Sequence, residues 1–222
     1  MNTTPYPMPF TRVELCVIRL SETGLEVLLA RREQAPEKGK WALPGGVLRI
    51  DLDDDLESAV QRVAQERIGT RVPYLRLQTV TGGKLRDPRA PWTLSIAYRA
   101  MTRTGSLEAV PGKRIEALRW SAADAAVADG RLAFDHARVI RDAVADIRAE
   151  IQDLNIPFEL LPVQFSLAEL QRECEAILGR ALDKSSFRRR LAERDYVEPV
   201  EGEFRVAAHR PAQLYRRRQA PD

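Results

Sequence analysis

Residues 41–70, WALPGGVLRIDLDDDLESAVQRVAQERIGT, decide the fold of this 222-residue chain. After a Gly-Gly pair at positions 45–46, apolar residues recur near helical spacing; they are Leu56, Val60, Val63, Ala64 and Ile68. Asp54 and Glu57 form an Asp-x-x-Glu pattern, which predicts a capping box at the start of the helix. Gly69 is expected to end the helix, because glycine readily adopts the left-handed conformation found there. The sequence therefore predicts a glycine-rich loop that leads into an amphipathic helix.

One carboxylate, Glu66, lies on the helix face where a divalent cation beside the Gly-Gly loop would sit. The other residues on that face are Val63 and Arg67. Magnesium is held by clustered hard oxygen ligands, whereas a single carboxylate next to an arginine is expected to form a salt bridge. The two histidines, His136 and His209, are too few and too distant for a zinc site. We therefore predict neither a metal site nor catalytic residues.

The same stretch resembles the Nudix box, the loop–helix–loop motif of the Nudix hydrolases. The family pattern is a Gly, five residues, a Glu, seven residues, and then Arg-Glu-apolar-x-Glu-Glu-x-Gly-apolar. Arg62, Glu66 and Gly69 match this pattern, whereas Val63 and Arg67 stand where it has two of its glutamates. The resemblance implies a Nudix α/β (α+β) fold with a mixed sheet sandwiched by helices. Hydrolysis of a nucleoside diphosphate derivative is the alternative function that it leaves open.

Segments typical of strands surround this loop and helix. VELCVIRL (13–20) and LEVLLARR (25–32) are separated by SETG, which predicts a hairpin. YLRLQTV, TLSIAYRAM and IEALRW predict three further strands. DHARVIRDAVADIRAEIQDL (135–154) predicts a long amphipathic helix with Asp135 as its N-cap. These elements assign residues 10–154 to one domain.

A second domain is predicted for residues 155–222. FSLAELQRECEAILG predicts a helix with a capping box of Ser166 and Glu169. DKSSFRRRLAERD predicts another helix starting at Asp183, and two extended segments follow around a turn expected at Glu201-Gly202. Helix, turn, helix and β-ribbon in this order predict a winged helix-turn-helix domain.

Positive charge is concentrated in this second domain. The chain carries a net charge of +3, but residues 179–222 hold eleven Lys or Arg against seven Asp or Glu, which leaves 24 basic and 25 acidic residues before them. A basic segment beside a neutral body indicates contact with a polyanion. The start of the second helix is expected to read a DNA groove, and arginines of the ribbon to clamp phosphates. The predicted DNA-binding residues are Lys184, Ser185, Ser186, Arg188, Arg189, Arg205 and Arg210.

A degenerate Nudix domain followed by a winged helix resembles the Nudix-related transcriptional regulators of the NrtR-like family. The likeness covers nearly the whole chain, since KGKWALPGG, RDPR, FDHARVI, FSLAELQRECEAILGRALDKSSFRRRL and RPAQLYR look like segments of that family. It implies a homodimeric, ligand-responsive repressor that binds double-stranded operator DNA. The implied effector is ADP-ribose or a related nucleotide, or a sugar in some relatives, and the implied targets include genes of NAD biosynthesis. No cofactor is expected.

Arginines are the candidates for the effector site, because guanidinium groups bind diphosphates through bidentate hydrogen bonds. Together with Glu66, the predicted effector-binding residues are Arg31, Arg49, Arg86 and Arg89. A surface ion pair is the alternative for Arg31 and Arg49. Trp41 and Trp92 either stack on an adenine or belong to the core.

Sequence features also predict the compartment. The apolar stretches are interrupted by Arg or Glu, so no membrane span is expected, and MNTTPYPMPF lacks the basic and apolar regions of an export signal. Cys16 and Cys174 lie far apart and form no CxxC pattern, which is typical of buried thiols in a reducing environment. We therefore predict a cytoplasmic protein without a membrane partner.

Overall fold

The structure, a computed structural model, describes residues 8–205 and 211–218. The chain divides into two compact units between Val144 and Ala145, and the short segment Glu22–Gly24 is counted with the second unit. This border falls inside the long helix predicted from the sequence, whereas the predicted boundary follows that helix. No helix in the described ranges is long and apolar enough to span a lipid bilayer.

The first unit is built on one seven-stranded sheet. Its strands are β1 (Phe10–Ser21), β2 (Gly24–Arg32), β3 (Trp41–Ala42), β4 (Gly45–Val47), β5 (Arg76–Lys84), β6 (Trp92–Arg103) and β7 (Ile115–Ala122). The order is β3-β2-β1-β6-β5, with β4 paired to β1 and β7 paired to β2. β1 and β6 run parallel, whereas β4, β5 and β7 are antiparallel to their partners. The mixed sheet expected from the sequence is thereby confirmed.

The helix α1 (Leu56–Ile68) buries its apolar face against this sheet. Val60, Val63 and Ile68 are completely buried and share one cluster with apolar residues of β1 and β2. Burial of side chains of this size contributes roughly 1.5–3 kcal/mol each, so the orientation of the helix is strongly determined. The helix ends at Gly69, which has a left-handed φ of 71°, as the sequence predicts.

The start of α1 differs from the prediction. Asp55 is the N-cap, because its Oδ1 accepts a hydrogen bond from the Ser58 backbone N at 2.7 Å and Ser58 Oγ accepts one from the Asp55 N at 3.0 Å. Nearby Asp53 is held elsewhere, since its two carboxylate oxygens accept from Arg62 at 2.6 and 2.8 Å. The predicted box that begins at Asp54 is therefore wrong by one residue.

Two more helices follow the sheet in the chain. They are α2 (Ala123–Ala128) and α3 (His136–Gln152). The buried apolar residues of α3 recur at helical spacing and are Val139, Ile140, Ala143, Val144, Ile147 and Ile151. α3 is one continuous helix. Because the border between the units lies after Val144, the helix begins in the first unit and ends in the second.

After the end of α3, the described part of the second unit contains two helices and a small antiparallel sheet. Its elements are a 3₁₀ turn (Phe158–Leu160), β8 (Phe165–Ser166), α4 (Leu167–Leu178), α5 (Lys184–Arg194), β9 (Val197–Arg205) and β10 (Ala212–Arg217), with strand order β8-β10-β9. The predicted capping box of Ser166 and Glu169 is confirmed at the start of α4. This is the winged helix-turn-helix that the order of sequence elements predicts.

The turn predicted at Glu201-Gly202 is wrong. β9 runs through both residues and continues to pair with β10, as the Phe204–Gln213 register shows. Gly202 has a φ of 74°, and the register with β10 shifts between Gln213 and Tyr215. The glycine therefore accommodates an irregularity within the ribbon rather than a reversal of the chain.

Candidate anion-binding cleft and nucleic-acid interface

An open cleft in the first unit lies beside β4 and the C-terminal end of α1. It encloses about 450 Å³ of space, much of which is open to solvent. Its lining residues are Arg12, Arg32, Gln34, Ala35, Gly45, Gly46, Val47, Arg67, Arg89, Arg114 and Ile115. Five of these are arginines and none is acidic, so the cleft is suited to an anion.

Arg12 of β1 is the most deeply buried of these arginines, with 5% of its surface exposed. Its Nε lies 3.7 Å from Glu14 Oε1, and its Nη1 lies 3.9 Å from Asp87 Oδ2. Burial lowers the pKa of Arg12 to about 10, although the Glu14 carboxylate opposes the shift. The guanidinium therefore remains charged at neutral pH, and two carboxylates hold it in place.

Glu14, which supports Arg12, is itself surrounded by basic groups. His136 Nδ1 accepts a hydrogen bond from the Leu43 backbone N at 2.8 Å, which leaves His136 Nε2 at 3.4 Å from Glu14 Oε1. Arg86 Nη2 lies 3.4 Å from Glu14 Oε2. Burial alone raises the pKa of Glu14, but His136, Arg86 and Arg12 outweigh it and hold the pKa below its ordinary value. The carboxylate is therefore ionised.

The RDPR loop between β5 and β6 supplies one arginine to the cleft and one to its support. Arg89 lines the cleft, donates from Nε to Asp87 Oδ1 at 2.8 Å and stacks over the Phe10 ring at 5.1 Å. Arg86 donates from Nη2 to Asp135 Oδ1 at 2.6 Å. The carboxylates of the loop and of Asp135 thus fix both arginines before any ligand is bound.

The two residues that replace glutamates of the Nudix box, Val63 and Arg67, occupy different environments. Val63 is fully buried, and a Cβ added at Gly46 would lie 2.7 Å from Val63 Cγ2, so the valine packs directly on the glycine loop. Arg67 lines the cleft and donates from Nε to the Gly45 carbonyl at 3.0 Å and from Nη1 to the Lys113 carbonyl at 2.6 Å. Burial lowers the pKa of Arg67.

Glu66 is the carboxylate that remains on this face of α1. Its Oε1 accepts from Arg62 Nη1 at 3.3 Å, and Arg62 also donates to the Val47 carbonyl at 2.9 Å. Within residues 8–205 and 211–218, no three His, Cys, Asp or Glu side chains are grouped as a metal site. One paired carboxylate beside an arginine does not supply clustered oxygen donors. The donor set therefore does not fit the magnesium of a Nudix-type site.

Among the predicted effector residues, Arg89 is the one that lines the cleft. Arg31 is exposed and donates from Nη1 to Glu116 Oε1 at 3.0 Å. Arg49 is also exposed and donates from Nε to Asp51 Oδ1 at 2.8 Å. Both arginines thus occupy the surface ion pairs that are the alternative for them, and their role in effector binding stays a prediction.

Arg86 and Glu66 also lie outside the cleft lining, as do Trp41 and Trp92. Sequence reasoning missed four lining arginines, which are Arg12, Arg32, Arg67 and Arg114. Arg67 carried a signal, because it replaces an acidic residue of the Nudix box. The other three come together only through strand pairing and loop packing, which no local spacing reveals.

The helix α5 presents a polar, basic surface at its start. The Asp183 side chain caps it by accepting from the Ser186 N at 2.8 Å. Phe187 and Leu191 are buried, which confirms the predicted inner face. The exposed residues include the predicted groove readers Lys184, Ser185, Ser186, Arg188 and Arg189. All five are accessible to solvent, and their contact with DNA stays a prediction.

The predicted phosphate contacts of the ribbon are Arg205 and Arg210. Arg205 ends β9 and forms an ion pair with Glu169 of α4. Arg210 lies outside the described residues. A phosphate that binds Arg205 must therefore compete with the Glu169 carboxylate.

The fold and the cleft define the class of this protein. A mixed sheet with a glycine loop and a Nudix-box helix is a Nudix fold, and the arginine cleft stands beside that box. A winged helix-turn-helix, the architecture of many DNA-binding domains, follows in the same chain.

Comparisons with known proteins define the family. Residues 10–143 match the NUDIX domain, and residues 157–217 match the NrtR DNA-binding winged helix domain. The ADPR responsive transcriptional repressor NtrR of Acinetobacter baylyi is 34% identical over 211 residues, 95% of this chain and 83% of that protein. The chain belongs to the NrtR family of Nudix-related transcriptional regulators.

Two solved structures agree with this assignment. Shewanella oneidensis NrtR complexed with a 27mer DNA is 28% identical, with a TM-score of 0.71 over 94% of this chain and 93% of that one. The NUDIX domain of the same NrtR complexed with ADP ribose is 27% identical, with a TM-score of 0.59 over 65% of this chain and 94% of that one. Both parts of the chain thus have structural counterparts among regulators.

Proposed function

We propose that this protein is a transcriptional repressor whose first unit senses ADP-ribose or a related diphosphate-containing nucleotide. The observation that carries the proposal is an arginine-lined cleft beside a Nudix box in which Val63 and Arg67 replace acidic residues. Such a cleft attracts the diphosphate of a ligand and lacks the donors for metal-assisted hydrolysis. The ADP ribose complex of the Shewanella oneidensis NUDIX domain supports the choice of ligand.

Arg12, Arg67 and Arg89 are the residues that we assign to the diphosphate. A guanidinium presents its N–H groups as a rigid fork that matches phosphate oxygens. Each of the three is already held by protein carboxylates or carbonyl groups. Less side-chain freedom is therefore lost when the ligand binds, which favours affinity.

The second unit is proposed to bind operator DNA. The start of α5, with Lys184, Ser185, Ser186, Arg188 and Arg189, enters the major groove, while Arg205 and Arg210 contact phosphates. A homodimer presents two α5 helices to the half-sites of a palindromic operator, about 34–36 Å apart. The exposed basic surface of α5 supports this arrangement, and genes of NAD biosynthesis are the first regulated targets to examine.

Ligand binding regulates transcription only if the ligand has different affinities for two states of the protein. We propose α3 as the connection, because it is one continuous helix that crosses the border between the units. A change of the DNA-competent population from 99:1 to 1:99 requires about 5.5 kcal/mol of differential binding. Partial release of DNA is therefore the expected response.

Nudix-type hydrolysis of a nucleoside diphosphate derivative is the second candidate, since the motif retains Arg62, Glu66 and Gly69. We propose that ADP-ribose is not turned over, because Glu66 is paired with Arg62 and has no neighbouring carboxylate on its helix face. Incubation with ADP-ribose and Mg²⁺ or Mn²⁺ should yield no AMP above a protein-free control. Multiple turnovers that disappear in Glu66→Gln would establish the hydrolase instead.

Calorimetry with ADP-ribose tests the sensing site. Arg89→Ala should weaken binding by about 10–100-fold, because charge-assisted hydrogen bonds contribute roughly 1.5–3 kcal/mol. Arg71→Ala removes an exposed arginine outside the cleft lining, and its affinity should stay unchanged. Equal losses of affinity in the two variants would show that ADP-ribose binds at the exposed surface and not in the cleft. Absence of binding by ADP-ribose, NAD and simple sugars would contradict the proposal.

A further inference from the structure

We infer that Arg67 takes the place of the divalent cation of a Nudix-type site, so that the cleft binds a diphosphate without metal. This inference rests on the proposed function and deepens it by giving one side chain the electrostatic task of the metal. Two observations lead to it: the face of α1 that carries Glu66 lacks the oxygen ligands that magnesium needs, and the cleft beside this face is lined by five arginines.

The helix face explains why a metal is disfavoured. Val63 is completely buried against Gly46 and has no ligating atom. Glu66 is engaged by Arg62 at 3.3 Å. A magnesium ion here would meet a single carboxylate, and the guanidinium of Arg67 on the next residue would repel it.

The hydrogen-bond partners of Arg67 distinguish it from Arg12 and Arg89. Arg12 lies 3.7 Å from the Glu14 carboxylate, and Arg89 donates to the Asp87 carboxylate at 2.8 Å. Arg67 instead donates to two backbone carbonyl groups. Neutral acceptors orient a guanidinium without neutralising its charge. Although the Glu66 carboxylate also attracts Arg67, the two hydrogen bonds of Arg67 go to carbonyl groups, so its charge is less directly neutralised than the charges of Arg12 and Arg89.

The carbonyl groups that hold Arg67 are themselves fixed. The Lys113 N donates to the Glu66 carbonyl at 2.7 Å, and the Gly112 N donates to the Arg67 carbonyl at 3.0 Å. A Cβ at Gly112 would lie 2.3 Å from the Glu66 carbonyl oxygen, so only glycine permits this close approach. The other acceptor, Gly45, belongs to β4. The guanidinium is thus positioned before the ligand arrives, as a bound metal ion would be.

Arg67 also has donors left for a phosphate. Its two hydrogen bonds use one N–H of Nε and one of Nη1, out of the five N–H groups of a guanidinium. Because the side chain lines the cleft, a diphosphate there can accept from it directly. The substitution that removes a metal ligand therefore also supplies the cation that the ligand needs.

The test is calorimetry of the full chain with ADP-ribose, once in EDTA and once with excess MgCl₂. The wild-type protein should give the same Kd in both buffers. Arg67→Gln should weaken binding by about 10–100-fold in EDTA, as expected for the loss of charge-assisted hydrogen bonds, and Arg67→Lys should recover part of that loss. Arg71→Gln, an exposed arginine outside the cleft lining, is the matched control and should bind like wild type.

The outcomes separate the inference from the proposed function. Wild-type binding that requires Mg²⁺, or unchanged affinity in Arg67→Gln, would overturn the inference and leave ADP-ribose sensing intact. No binding in either buffer would overturn the proposed function itself. Thermal melting of each variant identifies one that fails to fold, in which case the wild-type comparison of the two buffers and Arg67→Lys decide the question.

Discussion

The helices α1 and α5 are capped alike but expose different chemistry. Each begins after an aspartate whose side chain accepts a backbone hydrogen bond, and each ends at a residue with left-handed φ, Gly69 at 71° and Asp195 at 51°. α1 buries five residues against the sheet and brings Arg67 to a cleft. α5 buries only Phe187 and Leu191 and leaves most of its basic side chains in solvent.

This difference shows that a motif can keep its structural residues while its chemistry changes. In α1, Arg62 still ties the helix to the preceding loop through Asp53 and the Val47 carbonyl, and Gly69 still ends it. The positions that would hold a metal are Val63 and Arg67. In α5 the charged positions contribute little to packing, so they are free to serve a binding partner. The first helix forms a sensor site and the second an interface.

The largest expected effect concerns the buried charge network beneath the cleft. Glu14→Gln should destabilise the first unit by about 3–5 kcal/mol, because it removes one of the two carboxylates that face the buried Arg12 and one of the two that face the partly buried Arg86. Chemical denaturation monitored by circular dichroism measures the loss. A denaturation midpoint equal to that of the wild-type protein would contradict the role of Glu14. Glu116→Gln, which removes the carboxylate of an exposed ion pair, is the control.

The same network predicts acid sensitivity. The pKa of folded Glu14 lies below its ordinary value of 4.5, so its ionised form stabilises the fold. This contribution is present above about pH 4.5 and is lost as the pH falls toward the folded-state pKa. Denaturation midpoints measured across acid pH should fall more steeply for wild type than for Glu14→Gln. Parallel curves would show that other carboxylates dominate acid unfolding.

A smaller effect is expected at the surface of α5. Arg188→Ala and Arg189→Ala should each weaken operator binding by about 1–3 kcal/mol if the side chain reads a base. Loss of a phosphate contact would instead weaken binding to all DNA sequences alike and reduce the slope of log affinity against log salt concentration by about 1. Fluorescence anisotropy with operator and scrambled DNA at several salt concentrations distinguishes these cases. Affinities that match wild type in both variants would exclude these arginines from the interface.

The smallest expected effect concerns the N-cap of α1, which is Asp55 and not the predicted Asp54. Asp55→Ala should cost about 1 kcal/mol of stability, because it removes the side chain that accepts from the Ser58 N. Asp54→Ala, one residue earlier, should be nearly neutral. Thermal melting of the two variants compares the observed cap with the predicted one, and a larger loss in Asp54→Ala would restore the prediction.

The sequence predicts features that depend on periodicity and order, but not those that depend on which strand face a residue occupies. The apolar spacing of α1 is confirmed for Val60, Val63, Ala64 and Ile68, whereas Leu56 is exposed. The inner face of α5 is confirmed. Arg31 and Arg32 show the limit: Arg31 points to a surface ion pair with Glu116, while Arg32 lines the cleft. The pairing of β2 with β7 shifts register between these two arginines, and no sequence pattern reveals such a shift.

The capping box illustrates a second limit. Three consecutive aspartates precede α1, and each is compatible with an N-cap. In the fold, Arg62 binds the Asp53 carboxylate and Asp55 forms the cap, a division that the run of aspartates does not reveal. Arg12 was missed for a related reason: its partners Glu14 and Asp87 come from different segments, and only the folded sheet brings them together.

The most direct test of ADP-ribose-responsive repression is operator affinity with and without ADP-ribose, measured by anisotropy with DNA from upstream of the candidate target genes. We expect that the full chain binds this DNA, that ADP-ribose changes the affinity in EDTA, and that the nucleotide is recovered intact. Arg89→Ala should bind DNA like wild type but respond less to ADP-ribose. An operator affinity that ADP-ribose leaves unchanged at saturating occupancy, or no DNA binding at low salt, would contradict ADP-ribose-responsive repression.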